Sequence, residues 1–246
     1  MNNNIKAVVL AAGKGTRLHS EKFNLPKVMR LAAGRPLLSW VLDELEFLPK
    51  ENIVLVTGYM HEKVEEAFEG YPFALQEPQL GTGHAVMCAR EFLEGFDGSV
   101  LVCYGDMPLI PGSVYRELLE HHENNNCLCT ILAGISDMDL PYGRIVRDEN
   151  GGFVKIVEDR DCTEQEKLIR ELNLGICVFH GPTLLKELDN LTCANSQSEY
   201  YLTDIPEMIR KNGGKIDVYS AELGERIIGV NTQEQLDMVE RCLTNG

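Results

Sequence analysis

The sequence predicts an α/β fold: a Rossmann-like, mostly parallel mixed sheet flanked by helices and carrying a small β-hairpin lid. Three observations predict it. Short, nearly continuous apolar runs alternate with helical patterns through the first half of the chain, as expected for strands buried on both faces of a parallel sheet. The first run, Ile5–Leu10, passes directly into Ala11-Ala12-Gly13-Lys14-Gly15-Thr16-Arg17, a loop with two glycines, a hydroxyl and two cations. In the second half, Gly143–Arg147 and Phe153–Glu158 flank Asp148-Glu149-Asn150-Gly151-Gly152, a hairpin signal.

Taken in order, strands are expected at 5–10, 53–58, 73–76, 99–104 and 127–135, with helices near 37–48, 61–69, 82–94 and 112–123. The hairpin follows, then Thr163-x-x-Glu166, a capping box that should open a short helix. A strand is expected at 173–180, a helix at 182–190, and another from about 203 to 211, closed by Asn212-Gly213-Gly214. Strands at 215–220 and 227–230 precede a final amphipathic helix capped by Thr232-x-x-Gln235. No linker, repeat or low-complexity tract interrupts the 246 residues. They are read as a single domain, with a first half at about 1–135, a second half carrying the hairpin at about 136–230, and a C-terminal helix at 231–246.

Composition narrows the function. A net charge of −15 argues against nucleic acid as a partner. The charge is uneven: residues 1–40 hold seven basic residues and one acidic, the remainder 16 basic and 37 acidic. An acidic protein that keeps its positive charge around one glycine loop suits a small polyanion. No run approaches the ~20 apolar residues of a membrane span, and Met1-Asn2-Asn3-Asn4-Ile5-Lys6 does not read as a signal peptide, so a cytoplasmic location is expected. None of the eight cysteines forms a C-x-x-C pair. Cys103, Cys127, Cys129 and Cys177 lie in apolar runs and read as reduced core residues.

The glycine loop fits neither common phosphate template. A Walker loop needs G-x-x-x-x-G-K-[ST], and a dinucleotide fingerprint needs a third glycine where Leu18 stands. Its place at the end of a parallel strand still makes it an anion site: Gly13 and Gly15 let backbone N–H groups approach phosphate, and Lys14, Arg17 and Lys27 add charge. Gly105-Asp106 ends another strand in the equivalent position.

The string L-A-A-G-K-G-T-R at 10–17 does not stand alone. In order follow P-K-V at 26–28, Q-L-G-T-G-H-A at 79–85, Y-G-D-x-P-L-I at 104–110, Y-G-R-I at 142–145, I-V-E at 156–158, N-x-G-I at 173–176, E-Y-Y-L-T-D-I at 199–205 and G-V-N at 229–231. With these strings the chain resembles the sugar-nucleotidyltransferase family (nucleoside-diphosphate-sugar pyrophosphorylases) nearly end to end. Within it the resemblance is greatest to the uridyltransferase half of bifunctional enzymes that also acetylate glucosamine 1-phosphate.

The resemblance implies transfer of a nucleotidyl group from UTP to a sugar 1-phosphate, with UDP-N-acetylglucosamine or a related UDP-sugar and pyrophosphate as products. It implies that Leu10, Ala11, Ala12, Gly13 and Gly15 lie along the nucleotide with Tyr104 and Gly105, and that Gln76, Gly81 and Thr82 read the base. Arg17 and Lys27 would neutralise phosphate as the catalytic cations. Asp106 and Asn231 would bind Mg²⁺. Gly143, Glu158, Asn173 and Thr203 would contact the sugar. The same residues leave room for another nucleotide or acceptor, as in a cytidylyl- or thymidylyltransferase, or for a non-catalytic binding subunit.

Three departures bear on the sugar. Leu174 replaces the family's threonine, Pro141 stands where a glycine often precedes Tyr-Gly-Arg-Ile, and about three extra residues within Glu21–Asn24 lengthen the loop before Pro26. The hexapeptide β-helix that carries acetyl transfer is not in the sequence, so no acetyltransferase activity is expected. A stand-alone enzyme or an excised domain, monomeric or dimeric, fits.

Overall fold

In the computed structural model, which describes residues 4–194 and 197–245, one nine-stranded sheet organises the chain. Met1–Asn3 and Gly246, which bear on the leader and on the final helix, lie outside the described residues. Strand β1 is Ile5–Leu10, and the two-residue strands β2 (Leu31–Ala32) and β3 (Arg35–Pro36) form a separate small ribbon ahead of helix α1 (Leu37–Glu44). β4 (Ile53–Thr57), α2 (His61–Ala67), β5 (Phe73–Leu75), α3 (Thr82–Cys88), β6 (Ser99–Tyr104), α4 (Gly112–Asn124) and β7 (Cys129–Ile135) follow in alternation. The hairpin strands β8 (Gly143–Arg147) and β9 (Phe153–Val157) lead to the long β10 (Glu171–His180). α5 (Gly181–Leu188), α6 (Ile205–Lys211), β11 (Ile216–Ala221) and α7 (Gln233–Asn245) complete the order.

The strand order is β11-β7-β10-β6-β1-β4-β5. β1 pairs in parallel with β4 and β6, so Leu10 stands beside Val56 and Tyr104. β10 alone on this path runs antiparallel, between β6 and β7. The reason is local. A parallel return uses a crossover, usually a helix, whereas residues 136–170 between β7 and β10 hold the β8–β9 hairpin and 3₁₀ turns, with β8 pairing to the entry of β10 at Leu172 and Asn173. The start of β10 therefore lies at the same edge as the carboxyl ends of β1, β4, β5 and β6.

Alternation within each strand fills both faces. Ala7 and Val9 of β1 pack with α1 and α4 through Leu38, Val41, Tyr115 and Leu118. Val8 and Leu10 face α3, α5 and α6 through Val86, Leu184, Leu188, Ile205 and Ile209. A third cluster sets Leu236 and Val239 of α7 against Leu18, Ala32, Leu37, Ile228 and Val230, behind the glycine loop. The eight cysteines are free, and Cys103, Cys127, Cys129 and Cys177 are buried, as their apolar surroundings in the sequence predict. Among the described residues no helix is long and apolar enough to cross a membrane.

Two elements differ from expectation. Residues 227–230 form no strand; a 3₁₀ turn at Gly224–Ile227 runs into irregular chain whose Val230 N–H donates to the Asp106 carbonyl at 2.9 Å. The apolar run is buried, but against α7, and a short buried run looks the same whether or not it joins a ladder. The second is the helix after Thr163. The capping box forms, with Thr163 N–H donating to Glu166 Oε2 and Glu166 N–H to Thr163 Oγ1, yet only a 3₁₀ turn, Glu166–Leu168, follows. Its apolar residue, Leu168, is 79% exposed, so the turn has no core contact to extend it into a helix.

His122 on α4 is buried, with Nδ1 3.0 Å from Thr130 Oγ1. Burial, with His180 and His121 nearby, pushes its pKa down to about 4. The unfolded chain takes up a proton near pH 6.5 that the folded protein refuses until about 4, so stability is lost as pH falls through that window. The loss should reach about 2 kcal/mol at pH 5 in urea titrations, and His122→Gln should flatten the slope between pH 6.5 and 4.5.

Candidate active site

A cleft of about 430 Å³ opens at the strand ends just described. Of the residues singled out in the sequence, Leu10, Ala12, Gly13, Lys27, Gln76, Gly81, Thr82, Tyr104, Asp106, Gly143, Glu158, Asn173, Thr203 and Asn231 line it. Ala11, Gly15, Arg17 and Gly105 do not; Arg17 is exposed outside the lining, and the other three have structural roles instead. Ala11 N–H continues the β1–β4 ladder to the Val56 carbonyl at 2.8 Å. Gly105 N–H donates to the Leu10 carbonyl, which locks the end of β6 to the end of β1. Gly15 has φ +69°, and a Cβ there would lie 2.9 Å from Lys27 Cβ and 2.6 Å from Ser20 Oγ. Only glycine lets the loop fold back against Lys27, which explains why the glycine string and Pro26-Lys27 occur together.

Lys27 is the centre of the phosphate end. Its Nζ donates to Asp106 Oδ2 in a short contact and to Asn231 Oδ1 at 2.8 Å. Both side chains of the ion pair are largely out of water, 14% and 16% exposed, so removing one partner strands the other's charge. Arg17 is exposed at the mouth and reaches Asn231 Oδ1 at 3.2 Å. Asn231 is able to face the cleft because it does not cap α7. Thr232 and Gln235 make the capping bonds. Gln235 Oε1 accepts from the Asn231 and Thr232 N–H groups, and Gln235 N–H donates to Thr232 Oγ1.

Beside this lies a polar wall from α3 and the loop before it. Gln76, buried at the end of β5, donates from Nε2 to the Gly81 carbonyl at 2.9 Å, with His84 Nδ1 3.3 Å away. Tyr104 closes the floor; burial pushes its phenol pKa well up. The segment 199–203 is stitched onto the same loop. Tyr200 N–H donates to the Leu80 carbonyl, Gly83 N–H to the Tyr200 carbonyl, and Leu202 N–H to Thr82 Oγ1.

The far wall carries acceptors. Glu158 Oε1 accepts from Thr203 Oγ1 at 2.8 Å, and Asn173 Oδ1 from Gly175 N–H at 3.0 Å. Asp204 follows Thr203, and its pKa is raised by burial and by the nearby Glu158 and Glu207. The cleft is thus polarised, with cations at the glycine loop and carboxylates at the hairpin side. Leu174 both lines the cleft and belongs to the main core cluster, so the departure from threonine at that position adds apolar packing beneath the site.

Sequence reasoning missed Gln79, Tyr142, Gly175 and Glu199, which also line the cleft. All four sit inside the quoted strings, so position in those strings was the available signal.

Residues 7–194 match the family of MobA-like NTP transferase domains. Two curated relatives, both named bifunctional protein GlmU, are 46% identical (Clostridium novyi) and 43% identical (Caldanaerobacter subterraneus subsp. tengcongensis). Each alignment covers 96% of this chain but only 52% and 51% of the relative, so the chain spans about half the length of the curated relatives it matches. A Bacillus anthracis structure described as a putative glucose-1-phosphate thymidylyltransferase superposes with a TM-score of 0.73 at 18% identity, covering 97% of this chain and 94% of that one. That likeness is one of fold.

Gly81 has φ +103°, and a Cβ there would lie 2.6 Å from the Tyr200 carbonyl oxygen. Gly81→Ala should push 199–203 off the loop. Amide hydrogen exchange at Gly83, Tyr200 and Leu202 should then accelerate at least about tenfold.

Proposed function

The chain belongs to the family of MobA-like NTP transferase domains, and we propose that it is a uridylyltransferase making a UDP-sugar. The substrates in this reading are UTP and N-acetylglucosamine 1-phosphate or a closely related sugar 1-phosphate; the second product is pyrophosphate. The observation that carries the reading is the Lys27 ammonium held between Asp106 and Asn231 beside the glycine loop. It marks a point where cations and oxygen ligands converge at the edge of a parallel sheet.

A sugar 1-phosphate oxygen attacks the α-phosphorus, the P–O bond to the β-phosphate breaks, and pyrophosphate departs. The nucleophile is already anionic near neutral pH, so no protein base is required. The barrier lies in bringing two anions together in line. Lys27 and Arg17 offset that repulsion, and the Gly13 loop offers backbone N–H groups. With Nε2 engaged by Gly81, Gln76 retains Oε1 to accept from the N3–H of uracil, a hydrogen that cytosine lacks. Glu158, Asn173 and Thr203 suit sugar hydroxyl and amide groups.

Mg²⁺ fits the donor set. Two hard oxygens, Asp106 Oδ2 and Asn231 Oδ1, already converge on one positive charge. Mg²⁺ takes one or two protein oxygens and completes its shell with phosphate and water. Bound there, Mg²⁺ would supply charge neutralisation at the triphosphate.

Asp106→Ala should lower pyrophosphate release by at least about 10²-fold while the circular dichroism spectrum stays native; unchanged turnover would sink the assignment. Lys27→Ala should reduce kcat by a similar factor. A panel of four nucleoside triphosphates against several sugar 1-phosphates, read as pyrophosphate release, should peak at UTP with N-acetylglucosamine 1-phosphate. A peak at CTP or dTTP would replace the nucleotide assignment.

A further inference from the structure

Asn231 is carried by chain that belongs to no strand or helix, yet its Oδ1 stands 2.8 Å from Lys27 Nζ, on the same ammonium that Asp106 accepts from. Two anchors hold that chain. Val230 N–H donates to the Asp106 carbonyl at 2.9 Å. The other anchor comes from the hairpin side: Tyr142 Oη donates to the Ile227 carbonyl at 2.9 Å and accepts from Gly229 N–H at 2.7 Å.

We propose that Tyr142 is a positioning residue that sets Asn231, and through it ties the sugar-facing half of the cleft to its phosphate end. This rests on the reading of Asp106 and Asn231 as the metal-binding pair. Although Tyr142 lines the cleft, its hydroxyl is committed to two backbone groups. Burial pushes its pKa up to about 12, so the proton that bonds Ile227 is retained at neutral pH. A Cβ on Gly229 would stand 3.2 Å from Oη, so the hydroxyl packs tightly over that position.

Tyr142 is itself held from behind. The buried Arg144 guanidinium donates to the Tyr142 carbonyl in a short contact and to the Leu140 carbonyl at 3.4 Å, and it pairs with Asp159 Oδ1 at 3.4 Å. Asp159 directly follows Glu158, which faces the cleft. A continuous path therefore runs from the Glu158 segment through Arg144 and Tyr142 to Gly229 and Asn231.

The test is a double-mutant cycle in full-length protein with Tyr142→Phe, Asn231→Ala and the combination, read as Mn²⁺ affinity by electron paramagnetic resonance with UTP present. Tyr142→Phe keeps the ring and removes only the bridge. It should weaken Mn²⁺ binding about tenfold, within the range for groups that orient metal ligands. The double variant should bind no more weakly than Asn231→Ala alone. KM for UTP should stay within about twofold while kcat falls, a split that a merely structural role would not give. Additive losses, or a Tyr142→Phe protein with native Mn²⁺ affinity beside a weakened Asn231→Ala, would overturn the positioning role while the metal pair stands. Native affinity in Asn231→Ala would instead overturn the metal pair, and the proposal with it.

Discussion

A single ammonium group, that of Lys27, ties the ends of this chain together. It bonds to Asp106, 79 residues away, and to Asn231, 204 residues away. Bringing the three together requires the ends of β1 and β6 to be level, which the Leu10–Tyr104 register provides. It requires the Gly13–Gly15 backbone to lie flat against the lysine stem, and α7 to start where it does. An ion pair this far from water gives little net stability. Chain that places the lysine elsewhere would leave the Asp106 carboxylate unmatched in a site largely out of water.

The reversal of β10 does the same for the opposite wall. By entering the sheet at the edge where β1, β4, β5 and β6 end, it delivers Asn173 and Gly175 into the cleft and brings the hairpin with it. The segment 199–203 then closes the third side, bonded to the loop of Leu80 to Gly83. The loop of Leu80 to Gly83 and the segment carrying Thr203 thus share a wall. With Lys27 and Arg17 at the glycine-loop end and Glu158 at the hairpin end, the two ends of the cleft differ in charge.

Much of this was legible in the residues. Strands buried on both faces announce themselves as apolar runs, the hairpin announces itself through Asp148–Gly152, and the strings from 10–17 to 229–231 mark most of the residues that line the cleft. Less legible was which residues of a string face the ligand. Ala11, Gly15 and Gly105 sit in the same strings as their neighbours but are used for the ladder, the turn and the junction of β1 with β6. Tyr142 shows the opposite case: its ring lines the cleft, but its hydroxyl serves backbone groups 85 and 87 residues away.

The residues read along the chain were enough for the sheet, its flanking helices, the reduced buried cysteines and the family. These follow from local periodicity and from residue strings that need no partner to be read. The remaining features depended on the folded chain. Whether 227–230 joins a ladder depends on what packs beside it, and α7 covers it first. Whether the capping box at Thr163 opens a helix depends on a core for Leu168, and there is none. Whether Asn231 caps a helix or faces Lys27 depends on Gln235 taking the capping bonds. In each case the outcome turned on contacts made across the fold, and pattern along the chain carries no information about which distant group arrives.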